Sequence, residues 1–271
     1  MPELTDHLGR IIEVPEDPQR IISFSPAVTE TLFELGLGSH VAGISAFCSR
    51  PGETSRIRKV GSYGSARMEV LKEINPDLIL TVSGFQKEFA QFLSSEFTVY
   101  TFELPSSVAG IIDLVSRIGI VTGKRNEARY LEFELMKYLG SLRRRPSMSG
   151  YLEIDLGGPV TFGSMSYITD ALSIIGVNSI YGDRPSEWLE PDLNYVRESD
   201  PDVIFYEPKM YSKFNQGDMV RILAERGWNS LRAVKNRHVF ISPGPLDFFA
   251  HHGPSFIREV LPWAVDALEA L

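Results

Sequence analysis

A chain of 271 residues has room for two domains, each with a core of its own. Its net charge of −8 excludes a nucleic-acid binder, which needs a basic surface, and no run approaches the ~18 consecutive apolar residues of a membrane span. The single cysteine, Cys48, excludes an intrachain disulfide and does not fix the redox compartment. The opening MPELTDHLGR has neither the basic start nor the apolar core of a leader. The expected location is therefore cytoplasmic if the sequence is complete as it stands, and periplasmic or cell-surface if a leader was removed.

Residues 5–18 are polar and turn-rich and read as a short hairpin or arm. Arg20–Ser25 is an apolar run closed by Pro26, which suits a buried strand. Thr29–Leu35 has helical spacing and stops at Gly36. Val41–Ile44 reads as a second strand, and Ser45–Arg58, with Pro51 and Gly52, as a loop. Met68–Ile74 is a short helix ending before Asn75-Pro76, and Leu78–Val82 a strand. Phe85–Leu93 is a helix, Thr98–Thr101 a strand and Val108–Val121 a helix. Strands alternating with helices imply a mostly parallel sheet covered on both faces.

The stretch Asn126–Arg145 divides the chain near its middle. Ala128, Leu131, Leu135, Met136 and Leu139 recur at three- and four-residue steps, on one face of a helix. Thr122-Gly123-Lys124 breaks the chain before it. Arg143, Arg144 and Arg145 complement the negative end of its dipole, and Pro146 stops it. At 1.5 Å per residue it reaches roughly 30 Å, about the width of a small domain. We read it as a strut: residues 1–122 form one lobe, 123–147 the connecting backbone helix and 148–271 the second lobe.

The second lobe repeats the rhythm, with strands at Gly150–Leu156, Val203–Tyr206 and His238–Ile241. Its helices are Ile168–Ile175, Met219–Arg226 and Phe256–Leu271. The likeness extends to residues. Met68 to Ile79 aligns with Leu193 to Ile204, both a helix, a Pro-Asp turn and a buried strand. Thr29-Glu30-Thr31-Leu32 through Gly36 resembles Thr169-Asp170-Ala171-Leu172 through Gly176. Two echoes in the same order argue for two related lobes.

Ligands of α/β sheets bind beyond the carboxyl ends of the strands, so the loops there hold the candidates. Tyr63 stands 13 residues before Pro76, and Trp188 stands 13 before Pro201, one large aromatic from each lobe at an equivalent position. Phe47, Phe85, Phe162, Tyr167, Phe248 and Phe249 also fall in strand-end loops. An opposed aromatic pair suits a large flat ligand gripped by its faces. The adjacent pair His251-His252 is read as a hydrogen-bonding rim or a helix cap, because no HExxH or CxxC spacing accompanies it and no protein-built metal site is expected. The chain holds no G-x-S-x-G, Walker A or G-x-G-x-x-G sequence, and Cys48 lies in a loop without an assigned base, so no enzyme is expected. Glu69 opens the repeated helix of lobe one. Acids favour that turn for the helix dipole alone, and an exposed one also suits a basic pocket on a partner.

Together these residues resemble the substrate-binding proteins that deliver chelated metals to ABC importers, the group with a helical backbone between two lobes. The pieces that carry the resemblance are Arg20 to Pro26 with Thr29-Glu30, then Val60-Gly61-Ser62-Tyr63, and Glu69 with Asn75-Pro76-Asp77-Leu78. Cobalamin-binding members of that group are the nearest in pattern. The resemblance implies two α/β lobes on one backbone helix, a small hinge motion, and cobalamin in the cleft as transported ligand rather than cofactor. Haem, a ferric siderophore, or cytoplasmic tetrapyrrole handling of the chelatase kind stand as alternatives. The family's ligand-lining aromatics match at Phe47, Tyr63 and Trp188, and its cleft aspartate at Asp247. Phe85, Phe162 and Phe248 are expected beside them. Cobalamin-binding members have an arginine where this chain has His251. The family also presents one glutamate per lobe to the membrane permease: Glu69 matches the first, and neutral Asn194 stands at the second, which weakens docking. The protein is expected as a monomer with no nucleic-acid partner.

Overall fold

The computed structural model describes residues 1–143 and 146–269. The chain divides into two compact units: Met1–Pro105 with Ala109–Lys137 and His252–Pro254, and Ser106–Val108 with Tyr138–His251 and Ser255–Leu271.

The N-terminal unit begins with an antiparallel hairpin, β1 (Glu3–Thr5) and β2 (Ile11–Glu13), which is the predicted arm. Strands β3 (Ile21–Ser23), β4 (Val41–Ser45), β5 (Lys59–Gly61), β6 (Leu78–Val82) and β7 (Val99–Phe102) form a sheet in the order β5-β4-β3-β6-β7. Every neighbouring pair is parallel. All five residues of β6 are buried, as a strand covered on both faces requires. Helices α1 (Pro26–Glu34), α2 (Met68–Ile74), α3 (Lys87–Leu93) and α4 (Val108–Val121) alternate with the strands. Ile22, Phe24, Leu71, Ile79, Phe89 and Leu93 make one apolar core from both strands and helices. Strand β5 falls just beyond the predicted loop. Lys59-Val60-Gly61 offers a single large apolar side chain, too little to mark a strand.

Helix α5 (Arg125–Ser141) is the predicted long helix, one turn shorter than expected. Gly140 weakens its last turn, and the Ser141 hydroxyl donates to the Tyr138 carbonyl at 2.7 Å instead of continuing the ladder. Arg144 and Arg145 lie outside the described residues. Ala128, Leu131 and Leu135 are buried as the spacing predicts, whereas Met136 is 52% exposed.

The C-terminal unit contains β8 (Met148–Asp155), β9 (Pro159–Val160), β10 (Val177–Ser179), β11 (Val203–Glu207) and β12 (Val239–Ile241). The parallel order is β10-β8-β11-β12, with β9 folded back antiparallel on β8. Helices α6 (Tyr167–Ile174), α7 (Leu193–Ser199), α8 (Gln216–Glu225), α9 (Arg232–Lys235) and α10 (Leu261–Glu269) complete it. A π-helical turn, Phe256–Val260, precedes α10. Pro262 has no N–H to return to the preceding turn, which accounts for the irregular entry.

The internal repeat is visible atom by atom. Helices α2 and α7 are each seven residues long, and each ends on a left-handed residue, Asn75 at φ 50° and Asp200 at φ 45°. Asn and Asp tolerate that conformation because their short side chains bond locally. Each is followed by Pro-Asp, whose carboxylate caps a neighbouring strand. Asp77 accepts from Gln19 and Arg20 N–H at 2.9 and 3.0 Å, and Asp202 accepts from Ser149 N–H at 2.9 Å.

Candidate functional site

In the N-terminal unit, Phe47 follows β4, Tyr63 follows β5 and Phe85 follows β6, so all three leave the carboxyl ends of parallel strands. Phe47 and Phe85 are 42% and 78% exposed, and Tyr63 is half-buried. The Tyr63 and Phe85 rings lie 6.1 Å apart with a 30° tilt and form one small platform. Tyr63 rides on a tight turn: Ser62 N–H donates to the Ser65 carbonyl at 2.9 Å, and Arg67 N–H to that of Val60 at 2.8 Å. Only glycine fits at 61, because a Cβ there would collide with the Ser65 carbonyl oxygen. Beneath the turn, the buried Gln86 amide accepts from Val82 N–H at 2.9 Å. It donates to the carbonyls of Phe24 at 3.1 Å and Tyr63 at 2.6 Å. One side chain thus ties the ends of β3 and β6 to the Tyr63 turn.

Behind Phe47, the Ser45 hydroxyl receives the Phe47 N–H at 3.3 Å and lies 3.2 Å from Cys48 Sγ. The Thr29 hydroxyl donates to the same sulfur at 3.0 Å. Cys48 is fully buried, and burial pushes its thiol above the ordinary value. Its surroundings are those of a packing residue.

In the C-terminal unit, Phe162 and Trp188 flank a backbone bridge in which Thr161 and Leu189 exchange N–H bonds of 2.9 Å. Trp188 is 59% exposed and Phe162 half-buried. The two segments are laced further along. Ser164 donates to the Arg184 carbonyl from its N–H at 2.7 Å and its hydroxyl at 2.9 Å, and Met165 N–H donates to the Ser186 carbonyl at 3.1 Å.

The loop after β12 carries Asp247, Phe248 and His251. Glu207, the last residue of β11 and 2% exposed, accepts the Phe248 N–H at 2.9 Å and the Phe249 N–H. Burial raises its carboxyl to about 7, with Asp247 adding to the rise and the N–H groups of Phe248, Phe249 and Ala250 opposing it. The loop is held again where Tyr167 OH donates to the Phe249 carbonyl at 2.8 Å. Asp247 Oδ2 stands 3.6 Å from His251 Nδ1. Phe248 is expected against a face of the ligand and His251 at its rim; in the structure both side chains are buried. Phe248 is 7% exposed, packed edge-on against Trp263 at 5.2 Å and Phe249 at 5.6 Å, and His251 is 2% exposed. Burying an aromatic ring in an edge-to-face cluster gains more than leaving it in water.

A cavity of about 410 Å³ opens in this unit at the carboxyl ends of β8 and β11, lined by Glu153, Asp155, Gly157, Gly158, Pro159, Tyr206, Lys209 and Arg226. None of these is a predicted ligand residue. Glu153 accepts both terminal nitrogens of Arg226, at 2.7 and 2.8 Å, and the Tyr151 hydroxyl. The guanidinium lies 4.9 Å over the Trp228 ring. Sequence reasoning missed Gln86, Glu207 and this ion pair. The available signal was an acid inside an apolar strand, in Tyr151-Leu152-Glu153-Ile154 and Ile204-Phe205-Tyr206-Glu207, since acids are rarely buried unless partnered.

Two α/β lobes of one repeated plan, with aromatic rings on their strand-end loops, define a protein of the two-lobed binding class. The chain belongs to the periplasmic binding protein family, whose model matches residues 21–246. It is 22% identical over 270 residues to an uncharacterized ABC transporter substrate-binding lipoprotein, YvrC, of Bacillus subtilis, covering 95% of this chain and 82% of that one. It is 24% identical over 208 residues to a cobalamin-binding protein of Halobacterium salinarum, covering 73% of this chain and 56% of that protein's length. In fold it matches the apo periplasmic heme-binding protein RhuT of Roseiflexus sp. RS-1. The TM-score is 0.75 at 17% identity, over 92% of this chain and 98% of that one.

Proposed function

We propose that this protein is a substrate-binding protein, not an enzyme, that captures a chelated-metal ligand on its strand-end aromatic loops and delivers it to an ABC importer from the periplasm or cell surface. Cobalamin is the ligand this reading favours. The observation that carries it is the set of solvent-facing rings on strand-end loops of both units: Phe47, Tyr63 and Phe85 on one, Phe162 and Trp188 on the other. Flat aromatic faces held on rigid turns suit a large planar macrocycle. Asp247 supplies a polar contact at the rim, and Phe248 and His251 back that loop from within. The cobalamin-binding relative supports the ligand class. A second reading is haem, supported by the haem-binding fold relative and by His251 in place of an arginine.

Docking rests on Glu69, the exposed second residue of α2. The second residue of α7 is Asn194, whose N–H is capped by Asp192 at 2.9 Å. Glu69→Ala is expected to reduce permease-dependent uptake, and Asn194→Glu to raise it.

Calorimetric titration with cyanocobalamin, with haemin and a ferric siderophore in parallel, tests the ligand. One-to-one binding of cyanocobalamin that Trp188→Ala weakens at least about tenfold is expected. Saturation by haemin alone replaces cobalamin with haem. Silence with all three sinks the chelate reading.

A further inference from the structure

The cavity beside the Glu153–Arg226 pair is of small-molecule size. Its volume, about 410 Å³, falls within the few hundred cubic ångströms of ordinary ligand pockets. It opens at the carboxyl ends of β8 and β11, the same sheet edge of the C-terminal unit from which the Asp247 loop departs after β12. Its charge and hydrogen-bond inventory say what fits. Two acids and two bases line it, so their formal charges cancel. The Arg226 charge is already spent on Glu153 through two N–H bonds. Asp155 uses Oδ1 to accept the Gly157 N–H at 2.8 Å, which leaves Oδ2 as an acceptor. The Tyr206 hydroxyl and Lys209 ammonium line the space without a hydrogen-bond partner among the described residues, and both are donors. Tyr206 stays protonated because burial and the nearby Glu153 and Asp155 push it up to about 12.

A carboxylate entering this space meets two acids and a single uncommitted cation, and has no proton to offer Asp155. A primary amide meets no such conflict. Its carbonyl accepts from Lys209 or Tyr206, and its NH₂ donates to Asp155. The side chains of Gly157 and Gly158 are absent from the mouth, where a Cβ would meet nothing within 4 Å, so a flexible arm has free entry.

We propose that this cavity is a subsite for a neutral carboxamide arm of the ligand, held by Lys209, Tyr206 and Asp155. It rests on the proposed function, that the ligand is a chelate, and selects within that reading the amide-rimmed corrinoids over the carboxylate-rimmed haems.

Two arms of one experiment test it. In the first, the amide signals of Gly157 and Gly158 are followed by NMR while propionamide or propionate is added to the wild-type protein, Tyr206→Phe and Lys209→Met. Propionamide is expected to shift both signals more than propionate does, and less in either variant. No response to propionamide, or a stronger one to propionate, overturns the proposal whatever the natural ligand is. In the second, cyanocobalamin affinity is measured for the same proteins, together with their melting temperatures. Each variant is expected to bind roughly three- to tenfold more weakly, the value of one hydrogen bond, with an unchanged melting temperature. Wild-type binding that neither variant weakens overturns the subsite. Failure of the wild type to bind cyanocobalamin sinks the corrinoid reading instead, and the first arm alone then decides the chemistry of the cavity.

Discussion

The strand-end loops of the two units solve one problem by opposite means. Around Tyr63 the fastenings described are neutral: a buried glutamine amide, two serine hydroxyls and a glycine that lets the turn close. Around Asp247 and the cavity the fastening runs through buried acids. Glu207 gathers the backbone N–H groups of the loop, and Glu153 and Arg226 lock β8 to the end of α8. The repeat copies helix, turn and strand from one unit to the other, but it does not copy how the loops are fixed. Neutral fastenings hold at any pH. Buried acids make the fastenings of the second unit costlier to break and sensitive to protons.

The largest effect is expected from Arg226→Ala. Its side chain is 15% exposed, and its loss strands Glu153, which is 1% exposed, beside the Tyr151 hydroxyl. Removing one partner of a buried pair costs about 3–5 kcal/mol because the other charge stays uncompensated. Denaturant unfolding checks this. A cost under about 1 kcal/mol would show the pair to be no more than a surface bridge.

Next in size is the proton sensitivity of Glu207. Its folded carboxyl titrates near 7, above the ordinary value of 4.5. Between those values the folded protein holds a proton that the unfolded chain has released. The contribution of this residue to stability is therefore full below pH ~4.5 and is lost as pH rises toward ~7, by about 1.4 kcal/mol per unit. Glu207→Gln removes the titrating group. Melting curves collected from pH 5 to pH 8 should slope downward more steeply in the parent than in this variant. Parallel curves refute the assignment.

On the neutral side, Gln86→Leu keeps the bulk and deletes three hydrogen bonds, those to Val82 N–H and to the carbonyls of Phe24 and Tyr63. About 1–3 kcal/mol is expected, independent of pH. A pH-dependent loss here would erase the contrast between the two units.

How much of the fold and site was readable in the sequence depends on the length scale of each signal. The spans of α2, β6 and α4 were read to the residue, because apolar periodicity and the Asn75-Pro76 break act locally. The left-handed twins Asn75 and Asp200 explain why the repeat was legible at all: the Pro-Asp turn demands the same short polar residue twice. Strands β5, β9 and β10, Lys-Val-Gly, Pro-Val and Val-Asn-Ser, lack the apolar run that made the equally short β3 and β12 readable. Tyr63 and Trp188 stood out by their Gly-, Ser- and charge-rich surroundings, and Phe47 and Phe85 by falling in loops at strand ends. The burial of Phe248 was not legible, because it depends on Trp263, fifteen residues on, where no local pattern reaches. Gln86 and Glu207 were missed for the same reason. Their partners lie 62 and 41 residues away.

The smallest effect sharpens the comparison most. Phe85 is 78% exposed, and its ring leans on Gly64, where a Cβ would come within 3.2 Å, and tilts over Tyr63. Such a ring contributes little to folding, so Phe85→Ala should change unfolding free energy by no more than about 0.5 kcal/mol. Its work is to limit where the Tyr63 ring can point, since the turn beneath fixes only the backbone. A double-mutant cycle of Phe85→Ala with Tyr63→Ala, read on cyanocobalamin affinity, should give a coupling of about 0.5–1 kcal/mol, the range for aromatic pairs. The same cycle for Phe162→Ala with Trp188→Ala should couple less tightly, because the bridge between Thr161 and Leu189 fixes only their backbones and no ring contact joins the pair among the described residues. Equal coupling in the two units would mean that the rings, not the fastenings beneath them, set the geometry of both faces.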